Sequence, residues 1–279
     1  MADTYVLVHG AWHTGAEMEA VAGHLRKSGH VVHCPTIAGN NKDDDREKTG
    51  LEQAISSIVT YIEASNLRDI RLVGHSYGGM VISGVADRLT DRIKRLVYVN
   101  AFVPLDGQCL NDMVPPHYVG LFDAVAAANK GAVMLPFEIW RDAFINDADL
   151  ELAKSAFAKL NLHPYKTFTD KITLKHALAE LPVGKSYVNC RQDIALPHSM
   201  PWHPRLSERL GLFRLVECDG SHEMFFSNPA RLAQAIAESR ARLRSSRAPA
   251  LSTKWRGVRR VTPNPSFSAR HVFFENAFA

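Results

Sequence analysis

Ile70-Arg71-Leu72-Val73-Gly74-His75-Ser76-Tyr77-Gly78 runs from a short apolar segment into a serine flanked by glycines, and residues 78–89 continue with helical character. A G-x-S-x-G between a buried strand and a helix describes a tight, strained turn. Small residues on either side let the serine hydroxyl project above the sheet, where a nucleophile is useful. The same pattern also serves as a plain glycine-rich turn with an idle serine. A strand before it and a helix after it favour the first reading, with Ser76 as the nucleophile.

The surrounding chain repeats this strand-then-helix unit. Tyr5-Val6-Leu7-Val8 reads as a fully buried strand, and over residues 16–27 Met18, Val21, Ala22 and Leu25 recur at helical spacing before Gly29. A strand at residues 31–33, a helix at 51–64 (Ile55, Ile58, Val59 and Ile62 on one face) and a strand at 96–100 follow the same rhythm. Alternating buried strands and amphipathic helices imply a mostly parallel sheet covered by helices on both faces.

After Pro104 the rhythm stops, and residues 105–181 read as helix and loop with no convincing buried strand. This segment is expected to be an inserted, mainly helical cap. The rhythm resumes with a strand at 187–190, a helix at 204–210, a strand at 212–216 and a last helix from 229 to about 243. The expected organisation is therefore an α/β core over residues 1–104 and 182–244, a cap over 105–181, and a basic, Pro/Ser-rich tail over 245–279 with the composition of a disordered segment.

A composition of 46% hydrophobic and 22% charged residues is that of a folded domain, and 279 residues suffice for one core with an insertion. The formal charge of +4 is misleading about partners. From Arg240 onward the chain carries nine Lys/Arg and one acid, which leaves residues 1–239 at −4. The basic balance thus gives no reason to expect nucleic acid binding by the fold. No apolar run approaches a membrane span and the N-terminus has no signal-peptide pattern, so a cytoplasmic location and no membrane partner are expected. Cys34, Cys109, Cys190 and Cys218 form no C-x-x-C pair, and reduced buried thiols are the expectation. Asp43-Asp44-Asp45 fits no common ligand template and reads as a solvated surface. No metal or other cofactor is called for.

An attacking serine needs a base, and in sheets of this kind an acid and then a histidine follow in later post-strand loops. His222 lies past the strand at 212–216, and Asp193 lies past the strand at 187–190, giving the chain order Ser76, Asp193, His222. Asp106 is the rival acid, while Asp219 is close in sequence to His222 and poorly placed to reach its ring. Asp193 is favoured because its loop precedes the histidine loop. Thirteen histidines make any single one suspect, so His222 rests on position alone. After the first strand, His9-Gly10-Ala11 presents small residues, and the N–H groups of Ala11 and Tyr77 are the expected oxyanion donors. Trp12, Phe137, Trp140 and Trp202 are candidates for a flat apolar substrate pocket, although core packing accounts for such residues equally well.

The segments V-L-V-H-G-A-W-H, G-H-S-Y-G-G, R-Q-D-I-A-L-P and G-S-H-E-M-F-F resemble those of the small α/β-hydrolases that include plant methylesterases and hydroxynitrile lyases, with their bacterial esterase relatives. The resemblance covers about residues 4–243 and implies the α/β-hydrolase fold. Within that group the chain is also similar to bacterial carbendazim hydrolases, which cleave a methyl carbamate on a benzimidazole. Two departures bear on chemistry. The lyases of the group carry threonine where this chain has Gly10, and a cyanide-stabilising lysine where it has Glu223. An acid there would oppose an anion, so hydrolysis of a small ester or carbamate is expected over lyase chemistry. A non-catalytic small-molecule receptor on the same fold is the other alternative, and oligomeric state is not readable.

Overall fold

The computed structural model describes residues 2–240. The expected tail at 245–279 lies outside the described residues. In chain order the principal elements are β1 (Thr4–Val8), α1 (Glu19–Lys27), β2 (Val31–His33), α2 (Leu51–Ala64), β3 (Ile70–His75), α3 (Gly78–Arg88), β4 (Ile93–Val99), α4 (Pro116–Ala128), β5 (Ala132–Val133), β6 (His163–Pro164), β7 (Gly184–Cys190) and β8 (Arg214–Cys218). A helix over Leu150–Phe157 precedes β6, and a closing helix spans Pro229–Glu238.

Six strands form one sheet in the order β2-β1-β3-β4-β7-β8, and every pairing in it is parallel. Side chains alternate between two apolar layers. Val6, Val8, Leu72, Leu96, Tyr98 and Tyr187 face the layer that includes α2 and α3. Tyr5, Leu7, Val73, Val97, Val99 and Val188 face the layer that includes α1 and the closing helix. Burial on both faces is why these strands read as unbroken apolar runs rather than alternating ones. β8 is an edge strand with every other residue covered, and it begins at Arg214, later than the expected residue 212. Leu212, just past the left-handed Gly211, is 78% exposed and belongs to the turn.

The order places a switch point between β1 and β3, because the chain leaves β1 toward β2 and then returns to β1's other side. Loops following the two strands diverge there and open a crevice at their C-terminal ends. Ser76 and Ala11 are on these two loops.

Residues 105–181 lie over that crevice and share its core. Tyr118, Phe122, Trp140 and Phe168 belong to the same apolar cluster as Leu72, Met80 and Tyr187. Against the expectation of no strand in this segment, β5 pairs antiparallel with β6, Ala132 opposite Pro164 and Val133 opposite His163. Two residues per strand are too few to leave a periodic signal. The expected helix at 204–210 is reduced to a short turn of helix at Ser207–Leu210.

Candidate active site

The elbow is built by close backbone packing. Ser76 adopts φ 52°, a left-handed conformation rare for a non-glycine residue. It is held there because its N–H donates to Val99 O at 3.3 Å while its carbonyl accepts from Gly79 at 3.0 Å and Phe102 at 3.1 Å. Gly78 must be glycine for a separate reason. A Cβ there would stand 2.7 Å from the carbonyl oxygens of both Val8 and His9, so α3 could not lie against the end of β1. Ser76 is thereby fixed beside the loop that follows β1.

That loop supplies the first expected oxyanion donor. Among the described residues, neither Ala11 N–H nor Tyr77 N–H donates to a protein acceptor. His9 is buried and has a defined tautomer: its Nε2 accepts from Ile37 N–H at 3.0 Å, so its proton is on Nδ1, which faces Gly10 O at 2.8 Å. Burial holds His9 neutral, with its pKa lowered to about 3. At Gly10 a Cβ would come within 3.1 Å of Ser76 Cβ and 2.8 Å of His75 Nδ1, so the close approach of this loop to the serine requires glycine. His75 in turn donates from Nε2 to His222 O at 2.9 Å.

His222 and Asp193 meet behind the serine. His222 Nδ1–H donates to Asp193 Oδ2 at 2.6 Å, with both side chains buried. This tautomer leaves His222 Nε2 with a free lone pair. Burial pulls the His222 pKa down, but the Asp193 charge and hydrogen bond, together with the Glu223 charge, leave it raised above 6.5. Asp193 has further support: Oδ1 accepts Ala195 N–H at 2.9 Å, and Oδ2 also accepts the Asn100 side-chain amide. Asn100, directly past β4, donates to Cys190 O and accepts from Cys190 N at 2.8 Å. The sequence reading missed Asn100. Its signal was a polar residue immediately after a buried strand, the same topological place that Ser76 and Asp193 occupy.

The rival acids are engaged elsewhere. Asp106 Oδ1 accepts the Leu174 N–H at 2.8 Å, and the exposed Asp219 pairs with Arg191 at 2.5 Å. Among the described residues no cluster of His, Cys, Asp and Glu is gathered as a metal site.

Ser76, His222, Ala11 and Tyr77 all line one cavity. Trp12 and Trp202 also line it. Trp202 lies flat against the His222 ring, centroids 5.2 Å apart and planes 16° off parallel, and Phe144 meets that ring edge-on at 5.3 Å. Trp12 is anchored by its indole N–H to Val133 O at 3.1 Å. Phe137 and Trp140 do not line the cavity. Trp140 is fully buried against Phe144 and Phe157, and Phe137 is half-buried and packs on Phe157 at the margin of the core. In their place Tyr118, Phe122, Phe144 and Phe168 supply the aromatic wall, and among the described residues no lysine, arginine or carboxylate lines the cavity.

Residues 5–235 match the model of the alpha/beta hydrolase family. The chain belongs to that family. A carbendazim hydrolyzing esterase of Nocardioides sp. (strain SG-4G) is 43% identical over 142 residues, which cover 47% of this chain and 59% of that relative. A pyrethroid hydrolase of Sphingobium wenxiniae is 25% identical over 84% of this chain and 86% of its own length. A solved extracellular alpha/beta-hydrolase from a Paenibacillus species, described as structurally and functionally homologous to tobacco salicylic acid binding protein 2, superposes with a TM-score of 0.82. It has 35% identity and covers 85% of this chain and 98% of its own. In this alpha/beta hydrolase the match ends at residue 235, before the C-terminal residues that lie outside the described ones. Among the described residues no helix is long and apolar enough to cross a membrane.

Proposed function

We propose that this chain is a serine hydrolase that cleaves esters and methyl carbamates of small, flat, uncharged aromatic substrates through an acyl-enzyme on Ser76. The observation that carries the reading is the hydrogen bond of His222 Nδ1 to Asp193, which leaves Nε2 free to accept a proton on a histidine that lines the same cavity as Ser76. His222 takes the Ser76 proton as Oγ attacks the carbonyl, and the oxyanion is received by the N–H groups of Ala11 and Tyr77. The proton passes to the leaving alcohol, and water activated by His222 then releases the acyl group. Asp193 holds the tautomer throughout.

The substrate class follows from the lining. A cavity without charged side chains strips water from its ligand and gives an ionised group no partner, so neutral substrates are favoured. The aromatic wall suits a planar ring. The similarity to a carbendazim hydrolyzing esterase supports a methyl carbamate on a benzimidazole as one such substrate. There Ser76 displaces methanol, and hydrolysis of the carbamoyl-enzyme gives a carbamic acid that loses carbon dioxide to leave the aryl amine. The test is incubation with methyl benzimidazol-2-ylcarbamate beside a panel of aryl and methyl esters. 2-Aminobenzimidazole and methanol are the expected products. Turnover of esters alone would reduce the function to a general carboxylesterase.

Lyase chemistry has less support. Glu223 points to His13 and not into the cavity, and no cation lines the space in which cyanide would have to be stabilised. A receptor without turnover would need no free Nε2 beside the serine.

A further inference from the structure

His13 and Glu223 belong to the two loops that carry the proposed machinery. His13 stands two residues past Ala11, and Glu223 directly follows His222. Their side chains meet in the interior, Nε2 to Oε2 at 3.2 Å, each 1% exposed. Neither lines the catalytic cavity. The His13 ring is enclosed by Trp140, Phe225 and Phe226, with centroids 5.9, 5.0 and 5.9 Å away. Within this enclosure neither ring nitrogen of His13 nor Oε2 of Glu223 makes an aligned hydrogen bond to any described group, so the 3.2 Å approach of the two is a close electrostatic contact.

A carboxylate and an imidazole placed among aromatic rings cost desolvation that apolar side chains of the same size would not. What the pair adds to apolar packing is a polar contact between two loops that the sheet leaves apart. β1 and β8, from which the loops emerge, are separated by β3, β4 and β7, so no ladder hydrogen bond sets one loop against the other. Glu223 is also fixed on the cap side, its N–H donating to Phe144 O at 3.1 Å. A second link runs through His75 to the His222 carbonyl. Ala11 and His222 must address one acyl carbon from different directions, and an error of an ångström between them is costly in rate.

We infer that His13 and Glu223 are positioning residues, a buried polar tie that sets the Ala11 N–H against His222. This role rests on the Ser76–His222 reading above. Three variants of the full chain test it. Glu223→Gln keeps an oxygen toward His13, Glu223→Met keeps the bulk without an acceptor, and His13→Phe with Glu223→Leu makes the contact wholly apolar. Each is read by aryl-ester kcat and KM, by the rate of fluorophosphonate labelling at Ser76, and by thermal melting. The tie predicts that Glu223→Gln stays within about threefold of parent kcat. Glu223→Met and the double variant should lose about tenfold or more in kcat and labelling rate, with KM within about twofold, even where melting is restored in the double variant. Equal kcat in the Gln and Met variants, or a folded double variant at parental kcat, would overturn it. So would a loss confined to KM. Should the double variant not fold, the Gln and Met pair decides. An unlabelled parent overturns the serine-hydrolase reading and the tie with it, whereas a labelled parent with unaffected variants overturns the tie alone.

Discussion

His9 Nδ1–H donates to the carbonyl oxygen of Gly10 at 2.8 Å. That carbonyl and the N–H of Ala11 belong to one planar trans peptide and point in opposite directions. Holding the oxygen toward the buried His9 therefore turns the N–H toward the cavity. His9→Leu should release the peptide and lower aryl-ester kcat by about tenfold to a hundredfold, short of the loss for deleting an oxyanion donor outright. Steady-state kinetics on the folded variant check this. A kcat within twofold of parent would show that the Gly10–Ala11 peptide is held by something else.

Ser76→Ala should leave a folded protein that has lost several orders of magnitude in hydrolysis and all fluorophosphonate labelling. Retention of more than about a tenth of the parent rate contradicts a nucleophilic role for Ser76, because a triad serine is not that dispensable.

The two acids separate cleanly. Asp193→Asn removes the acceptor that fixes the His222 tautomer and should cost about four orders of magnitude in kcat. Asp106→Asn, whose oxygen caps a backbone N–H at Leu174, should alter kcat by less than about threefold. Asn100→Leu should fall between them, since Asp193 keeps His222 and Ala195 but loses its amide. The opposite ranking of the two aspartates would move the acid to Asp106.

The pH profile has a determined sign. His222 acts as a base only when neutral, and its pKa is raised above 6.5. The acid limb of kcat/KM should thus fall with decreasing pH through a midpoint above 6.5, and Asp193→Asn should move the midpoint of the residual activity downward. His9 and His75 stay neutral across this range because burial holds their values low. For stability the sign is opposite. A raised folded pKa contributes stability that is full below the unfolded value and is lost as pH rises through the folded one. An acid limb with its midpoint below 6 would remove His222 as the titrating base.

The parallel strands and the serine elbow were legible because each has a local cause. Burial on both faces makes an apolar run, and a helix forced against β1 makes a glycine at 78. Asp193 and His222 were legible through topology, as polar residues in successive post-strand loops. The aromatic wall was not. Tyr118, Phe122, Phe144 and Phe168 sit in helix-like segments where an apolar residue gives no sign of which way it turns, and Trp140 and Phe137 had equal claim by composition. Asn100 and His13 escaped notice, and Glu223 was read only for its charge, because their contacts span 90 or more positions of sequence, from Asn100 to Cys190 and from His13 to Glu223.

The flat contact of Trp202 with His222 has a consequence for the reaction in time. In the proposed mechanism the imidazole is neutral, becomes a cation as it takes the Ser76 proton, and is neutral again once the leaving group departs. Only the middle state presents positive charge to the indole π-face 5.2 Å away, where the attraction is worth about 2 kcal/mol in a desolvated setting. The stacked ring therefore favours the short-lived species over the resting one. It does so with no hydrogen bond to break and no proton of its own to move, as a passive electrostatic cushion beneath the shuttle.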